Sequence, residues 1–207
     1  MERKRGSILS VLSIMLAFCM VAASVGVNGI QAQAAKNKKA AVIYFSATGT
    51  TKGAAKKIQK TTNGKLIEIK AAEPYTDDDL DYTDENSRVV KEHESAKTHR
   101  ESSFRPQIKN LKKIQKEVKK ADVVYIGYPI WWGEAPHLVY NVVENIDLKK
   151  KTVIPFCTSA SSGLGKSALY LKQNAKISAK TKWLKGRNFY DIPSQKTVDE
   201  WINNLKY

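Results

Sequence analysis

Three short stretches of this sequence hold residue types whose spacing can do chemistry. Ser46-Ala47-Thr48-Gly49-Thr50-Thr51 places hydroxyls at four of six positions around a glycine. Such a turn can wrap a phosphate, with the N–H groups and dipole of a following helix adding donors. It has neither the G-x-x-x-x-G-K-[ST] nor the G-x-G-x-x-G spacing. That excludes the loops that hold nucleoside triphosphates and dinucleotides, so a terminal monophosphate suits it better. Taken alone, it reads better as a cap for the next helix.

The second stretch is Pro129-Ile130-Trp131-Trp132-Gly133, continuing to Glu134-Ala135-Pro136. Adjacent residues cannot both face one interior, so two neighbouring tryptophans in a proline-bounded turn are hard to explain as core. A flat aromatic ligand stacking there gives them a purpose. The alternative is one ring tucked under the last helix and one lying on the surface. The third stretch, Thr158-Ser159-Ala160-Ser161-Ser162-Gly163, offers small side chains and many backbone donors. It suits the polar edge of a flat ring, or it is a flexible loop capping a helix.

Other chemistries lack their residues. His93, His99 and His137 are scattered, without metal-ligand spacing. There is no G-x-S-x-G elbow. Asp77-Asp78-Asp79-Leu80-Asp81 imitates a calcium loop until Tyr82 takes the place of the required glycine. Cys157, ending an apolar run, reads as a packed thiol.

The elements that must position the three loops alternate along the chain. Apolar runs at Ala40–Phe45, Leu66–Ile69, Val123–Tyr128 and Thr152–Cys157 predict strands buried on both faces. A fifth strand is expected between Lys180 and Tyr190, with Lys182-Trp183-Leu184 as its weak core. Helical patterns fall at 52–61, 108–120, 136–146, 166–177 and 198–205. The second of these sets Ile108, Leu111, Ile114, Gln115 and Val118 on one side. This alternation predicts a parallel sheet with helices on both faces, and ligands beyond the carboxyl ends of its strands. The three loops follow strands one, three and four. Residues 72–107 break the pattern: polar, rich in acid and longer than an ordinary connection, they predict a surface excursion with a short helix near 85–97.

The chain has 207 residues and a formal net charge of +15. Its start is a leader: Glu2-Arg3-Lys4-Arg5, an uncharged run over 8–25, then Ala32-Gln33-Ala34 as a small-x-small site. A retained anchor is the alternative, and acylation at Cys19 is disfavoured by the bulky Phe18 before it. Cleavage after Ala34 leaves a domain of 173 residues, 35–207, with a net charge of +13 and Cys157 as its sole cysteine. Export is therefore expected, to the cell envelope or beyond.

The three loops in this order resemble the flavodoxin family, in particular flavodoxin-like proteins of bacteria with S-x-T-G-x-T and P-I-W-W turns. The resemblance covers about Lys39 to the C-terminus. It implies an α/β three-layer sandwich, a five-stranded parallel sheet in order 2-1-3-4-5, with FMN as cofactor. On that likeness Ser46, Thr48, Gly49, Thr50 and Thr51 hold the phosphate. Pro129 to Gly133 flank the isoalloxazine, with Trp131 or Trp132 stacking, and Thr158 to Gly163 line its pyrimidine edge. Familiar phosphate loops have Asn where Thr50 stands, and ordinary flavodoxins are acidic where this chain is basic. The implied role is electron transfer, or flavin-dependent reduction of small acceptors, with redox donor and acceptor unknown.

The rival reading is a non-enzymatic module binding anionic envelope polymers. It rests on Lys109, Lys112, Lys113, Lys116, Lys119 and Lys120 of one helix and the run Lys149-Lys150-Lys151. Export argues against a nucleic-acid partner, and membrane contact is expected only through an uncleaved leader.

Overall fold

The computed structural model describes residues 38–206; the leader expected over 1–34, including Cys19, lies outside them. Four apolar runs become strands β1 (Ala40–Tyr44), β2 (Lys65–Glu68), β3 (Val123–Pro129) and β4 (Thr152–Thr158). All pair in parallel, in the order β2-β1-β3-β4 and then the edge. Alternate side chains serve opposite faces. Val42, Tyr44, Val123, Tyr125, Ile154 and Phe156 pack one way, against helix α1 (Thr50–Thr62) and the C-terminal helix. Ala41, Ile43, Val124, Ile126 and Val153 pack the other way, against the remaining helices. The result is the three-layer α/β sandwich.

The expected fifth strand is split into β5 (Lys182–Trp183) and β6 (Arg187–Phe189), both pairing with β4. Leu184 N–H donates to Val153 O and Ser159 N–H to Phe189 O, so odd-numbered positions of β4 face the edge. Pro155 therefore stands where an N–H would serve the edge strand, and has none to give. The ladder breaks there. Phe156 comes three positions after Val153, yet its partner Arg187 comes four positions after Trp183. Gly186 lies in the break, where a Cβ would come 2.7 Å from Pro155 O.

Between β2 and β3 run α2 (Arg88–Glu94) and α3 (Leu111–Lys120). Helix α3 starts three residues later than its apolar pattern. Ile108 is held in an antiparallel bridge with Ala71, and Asn110 ties the start down by accepting from Lys70 N–H and donating to Glu68 O. Gln115, placed on the inner side by spacing, is exposed and donates to Asn145 O. After β3 and β4 come α4 (His137–Asn145) and α5 (Ser167–Asn174). The last helix, α6 (Gln195–Asn203), begins before its apolar residues because Ser194 caps it.

The excursion is closed at its neck, where Ala72 N–H meets Gln107 O and Lys109 N–H meets Lys70 O. It is more than surface: Val89, Val90, Glu92 and His99 within it are buried. Near that neck Arg105 binds Glu144 of α4 through both carboxylate oxygens, at 2.8 to 3.1 Å. Among the described residues no helix is long and apolar enough to cross a membrane.

Phe156 of β4 lies over Gly127 of β3, where a Cβ would come 2.1 Å from Phe156 Cζ. Gly127→Ala should cost about 2 kcal/mol or more by overpacking. Phe156→Leu should relieve that strain, so the double variant should lose less stability than the two single losses added together. Denaturant unfolding of the four proteins measures this; additive losses would refute the contact.

Candidate functional site

In a parallel sheet the loops leaving the strands gather at one edge, and two hydrogen bonds and one ring contact join these. Thr51 and Thr158 meet through their hydroxyls at 2.7 Å, both buried, coupling the first loop to the third. Ile130 N–H donates to Thr158 O at 3.0 Å, coupling the second to the third. Trp131 is packed edge-on to Phe45, the residue after β1, with ring centroids 5.7 Å apart.

In the first loop Gly49 takes φ +96°, which favours glycine, and its N–H donates to Ser46 Oγ at 3.1 Å. No side chain caps α1, so the donors of its first turn face the loop. Thr48 is exposed, while Ser46, Gly49 and Thr50 are half-buried. The Thr51 hydroxyl is engaged with Thr158, which leaves its backbone as its ligand-facing part. The donor set is hydroxyls and N–H groups around a helix N-terminus, which fits a phosphate.

In the second loop the tryptophans separate. Trp131 is 4% exposed and Trp132 38% exposed. A turn sets this split: Trp131 and Glu134 exchange backbone hydrogen bonds at 2.9 and 3.0 Å, and Trp132 and Gly133 between them take φ +47° and +80°. Two positive φ values define a type I′ turn, and a tryptophan held there is strained. Trp131 packs between Phe45 and Tyr75, rather than under the last helix. Trp132 projects outward, with His93 stacked on it at 4.3 Å and Tyr82 tilted against it at 4.8 Å. Pro129 and Ile130 are half-buried beneath.

In the third loop Ser159 N–H donates to Phe189 O and Ser162 N–H to Ser159 Oγ. Ala160, Ser161 and Ser162 are exposed, and Gly163 takes φ +67°. Cys157, just below, is buried and free; burial pushes its thiol up to about 12, and it donates to Asn188 Oδ1.

The histidines read as scattered are brought together by the fold. His93 Nδ1 lies 3.1 Å from His99 Nε2, and His99 Nδ1 lies 2.9 Å from Ala135 O. A carbonyl only accepts, so His99 carries its proton on Nδ1 and accepts from His93 on Nε2. The His137 ring sits 4.3 Å from that of His99, 1% exposed, with neither nitrogen hydrogen-bonded. Beside it, buried Glu92 holds Tyr75 Oη at 2.8 Å and Arg88 Nε at 2.8 Å. Burial raises the Glu92 carboxyl despite those hydrogen bonds, and lowers His99. Among the described residues no group of His, Cys, Asp and Glu is placed to hold a metal. No local spacing signals this cluster, because its members come from the excursion and from the start of α4.

A flavodoxin family model matches residues 39–205. The chain belongs to the flavodoxin family. Similar solved structures include a Bacteroides uniformis protein described as a flavoprotein, 37% identical, covering 82% of this chain and 100% of its own, with a TM-score of 0.70. A Bacteroides eggerthii protein of the same description is 39% identical over 81% of this chain and 97% of its own, with a TM-score of 0.68. A Lactobacillus acidophilus flavoprotein, solved in complex with FMN, is 22% identical over 79% and 98%, with a TM-score of 0.53, and shows the shared fold. No curated protein matches.

Burial drives the His137 imidazole down to about 3, with the charges of His99, Arg105 and His93 adding to this. An unfolded histidine titrates near 6.5, so between those values the unfolded chain holds the extra proton. The stability linked to His137 is complete above about pH 6.5 and is lost as pH falls toward 3, by at most about 1.4 kcal/mol per pH unit. Glu92, raised, acts in the opposite sense. His137→Leu should therefore flatten the acid-side loss of stability between pH 6.5 and 5, measured by unfolding against wild type.

Proposed function

We propose that this flavodoxin binds FMN at the carboxyl edge of its sheet and moves electrons to a protein or a small acceptor. The carrying observation is the convergence of the three loops: an uncapped helix N-terminus with hydroxyls, an exposed tryptophan on a rigid turn, and a loop of small residues. The first loop binds the phosphate through Ser46, Thr48, Thr50 and the N–H groups at the start of α1. Trp132, on which His93 and Tyr82 now pack, flanks the isoalloxazine in place of one of those rings, and Trp131 fixes the turn that presents it. Residues 158–163 offer backbone donors to the ring's polar edge. FMN supplies the redox chemistry itself when bound. Outer-sphere transfer needs no acid or base, which accords with histidines whose burial keeps His99 and His137 neutral.

Ser46→Ala combined with Thr48→Ala should weaken FMN about 100-fold, since hydrogen bonds to a charged group contribute roughly 1.5–3 kcal/mol each. Riboflavin, lacking the phosphate, should change by less than about threefold on the same scale. Flavin-fluorescence titration of residues 35–207 measures both, and equal weakening would remove the phosphate cradle.

The reading extends to export, which the leader motif supports. Expressed whole in a secreting bacterial host, the protein should be recovered outside the cytoplasm with Ala35 as its first residue. Terminal sequencing by mass spectrometry checks this; an intact N-terminus on cytoplasmic protein would refute it.

A further inference from the structure

The edge of the sheet opposite the three loops carries a separate feature. A parallel sheet gathers the segments entering its strands at that edge, and in this chain those segments carry lysine. Lys38 precedes β1, Lys120 precedes β3, the run 149–151 precedes β4 and Lys180 precedes β5. Their backbones are sewn side by side: Asp122 N–H donates to Lys39 O, Thr152 N–H to Asp122 O, and Lys182 N–H to Lys151 O. The order β1-β3-β4-β5 sets these segments in a row spanning three strand spacings, roughly 14 Å at 4.8 Å each. They line one cleft of about 440 Å³.

Little inside the cleft neutralises it. Asp122 is its one carboxylate and already accepts from Lys39 N–H. Lys151 is spent on Ala121 O at 2.6 Å, and Lys120 on Glu117 at 2.9 Å. Lys149, Lys150 and Lys180 are exposed and belong to no ion pair among the described residues. Lys150 is held at φ +62°, its N–H on Ser178 Oγ. Clustered like charges with focused field lines repel one another, and an anion in the cleft relieves that repulsion.

The acid of the chain sits elsewhere. Ten of its twenty acidic residues fall within 72–107, the excursion that packs on the second loop. The molecule is thus basic at the amino edge of its sheet and acidic beside the candidate flavin site.

We infer that the lysine-lined amino edge of the sheet binds a linear polymer of phosphate groups, leaving the opposite edge free. Lining chemistry selects this ligand. No aromatic side chain lines the cleft, so bases have nothing to stack on. No large apolar side chain lines it either, so it lacks an anchor for a bilayer. Every cation is lysine, a point charge, rather than arginine with its bidentate fork, which favours successive charges along a chain over one oriented phosphate.

The test compares the FMN-loaded wild type with two charge-matched variants of residues 35–207. One carries Lys149→Gln, Lys150→Gln and Lys180→Gln; the other carries Lys109→Gln, Lys112→Gln and Lys113→Gln near the start of α3. Binding of sodium polyphosphate is measured by calorimetry at several salt concentrations, with phosphatidylglycerol vesicles and orthophosphate as separate arms. The edge variant should lose at least about tenfold in polyphosphate affinity and the control less than about twofold, with the difference shrinking as salt rises. Equal losses in both variants would overturn the proposal in favour of diffuse net charge. Vesicle binding without polyphosphate binding, or full competition by orthophosphate at equal phosphate concentration, would overturn it too. The same titrations repeated on FMN-free protein separate this proposal from the flavin reading, since the edge does not need the flavin.

Discussion

Every described strand of this protein pairs in parallel with its neighbour, and a parallel strand can be entered only from the edge opposite the one where its predecessor left. Each connection must therefore cross the sheet, so all exits share one edge and all entries share the other. Residues far apart in sequence, such as Thr51 and Thr158 or Lys39 and Asp122, become neighbours for that reason. The exits carry hydroxyls, glycines and tryptophans; the entries carry lysines. Which segments meet at each end follows from topology before any ligand is considered.

Within the exit edge, Trp131 is the fastener. Its ring joins Phe45 from the first loop and Tyr75 from the excursion, and aromatic pairs of this kind contribute about 0.5–1.5 kcal/mol each beyond their buried area. Holding Trp132 at positive φ costs about 1–3 kcal/mol, a sum the two contacts and the paired backbone bonds to Glu134 can offset. Tyr75 is itself braced, by the Glu92 carboxylate and by Arg88 lying 3.9 Å over its ring. The buried acid and histidines thus serve the tryptophan turn from behind.

Much of the sheet was legible because its strands are buried on both faces and so read as unbroken apolar runs. Strand order was legible only through the resemblance, since periodicity says nothing about neighbours. The places where local reading failed have local causes. Ile108 continues a helical pattern but is claimed by the bridge to Ala71, and Ser194 begins α6 ahead of its apolar stripe. Two tryptophans side by side could not both be buried, but which of them faces outward depends on the turn's dihedral angles. The histidines gave no signal at all, because their meeting depends on how a 36-residue excursion closes.

The break in the edge strand has a bearing on how the molecule behaves in company. A sheet edge with a continuous row of unpaired N–H and C=O groups is a template on which another chain can grow. Here Pro155 interrupts the ladder, β5 and β6 offer two and three residues, and Lys182, Lys185 and Arg187 add like charge along them. A second chain could register against either piece only briefly before losing its partners. The same proline that leaves one donor missing inside the fold guards that edge against strand-by-strand aggregation.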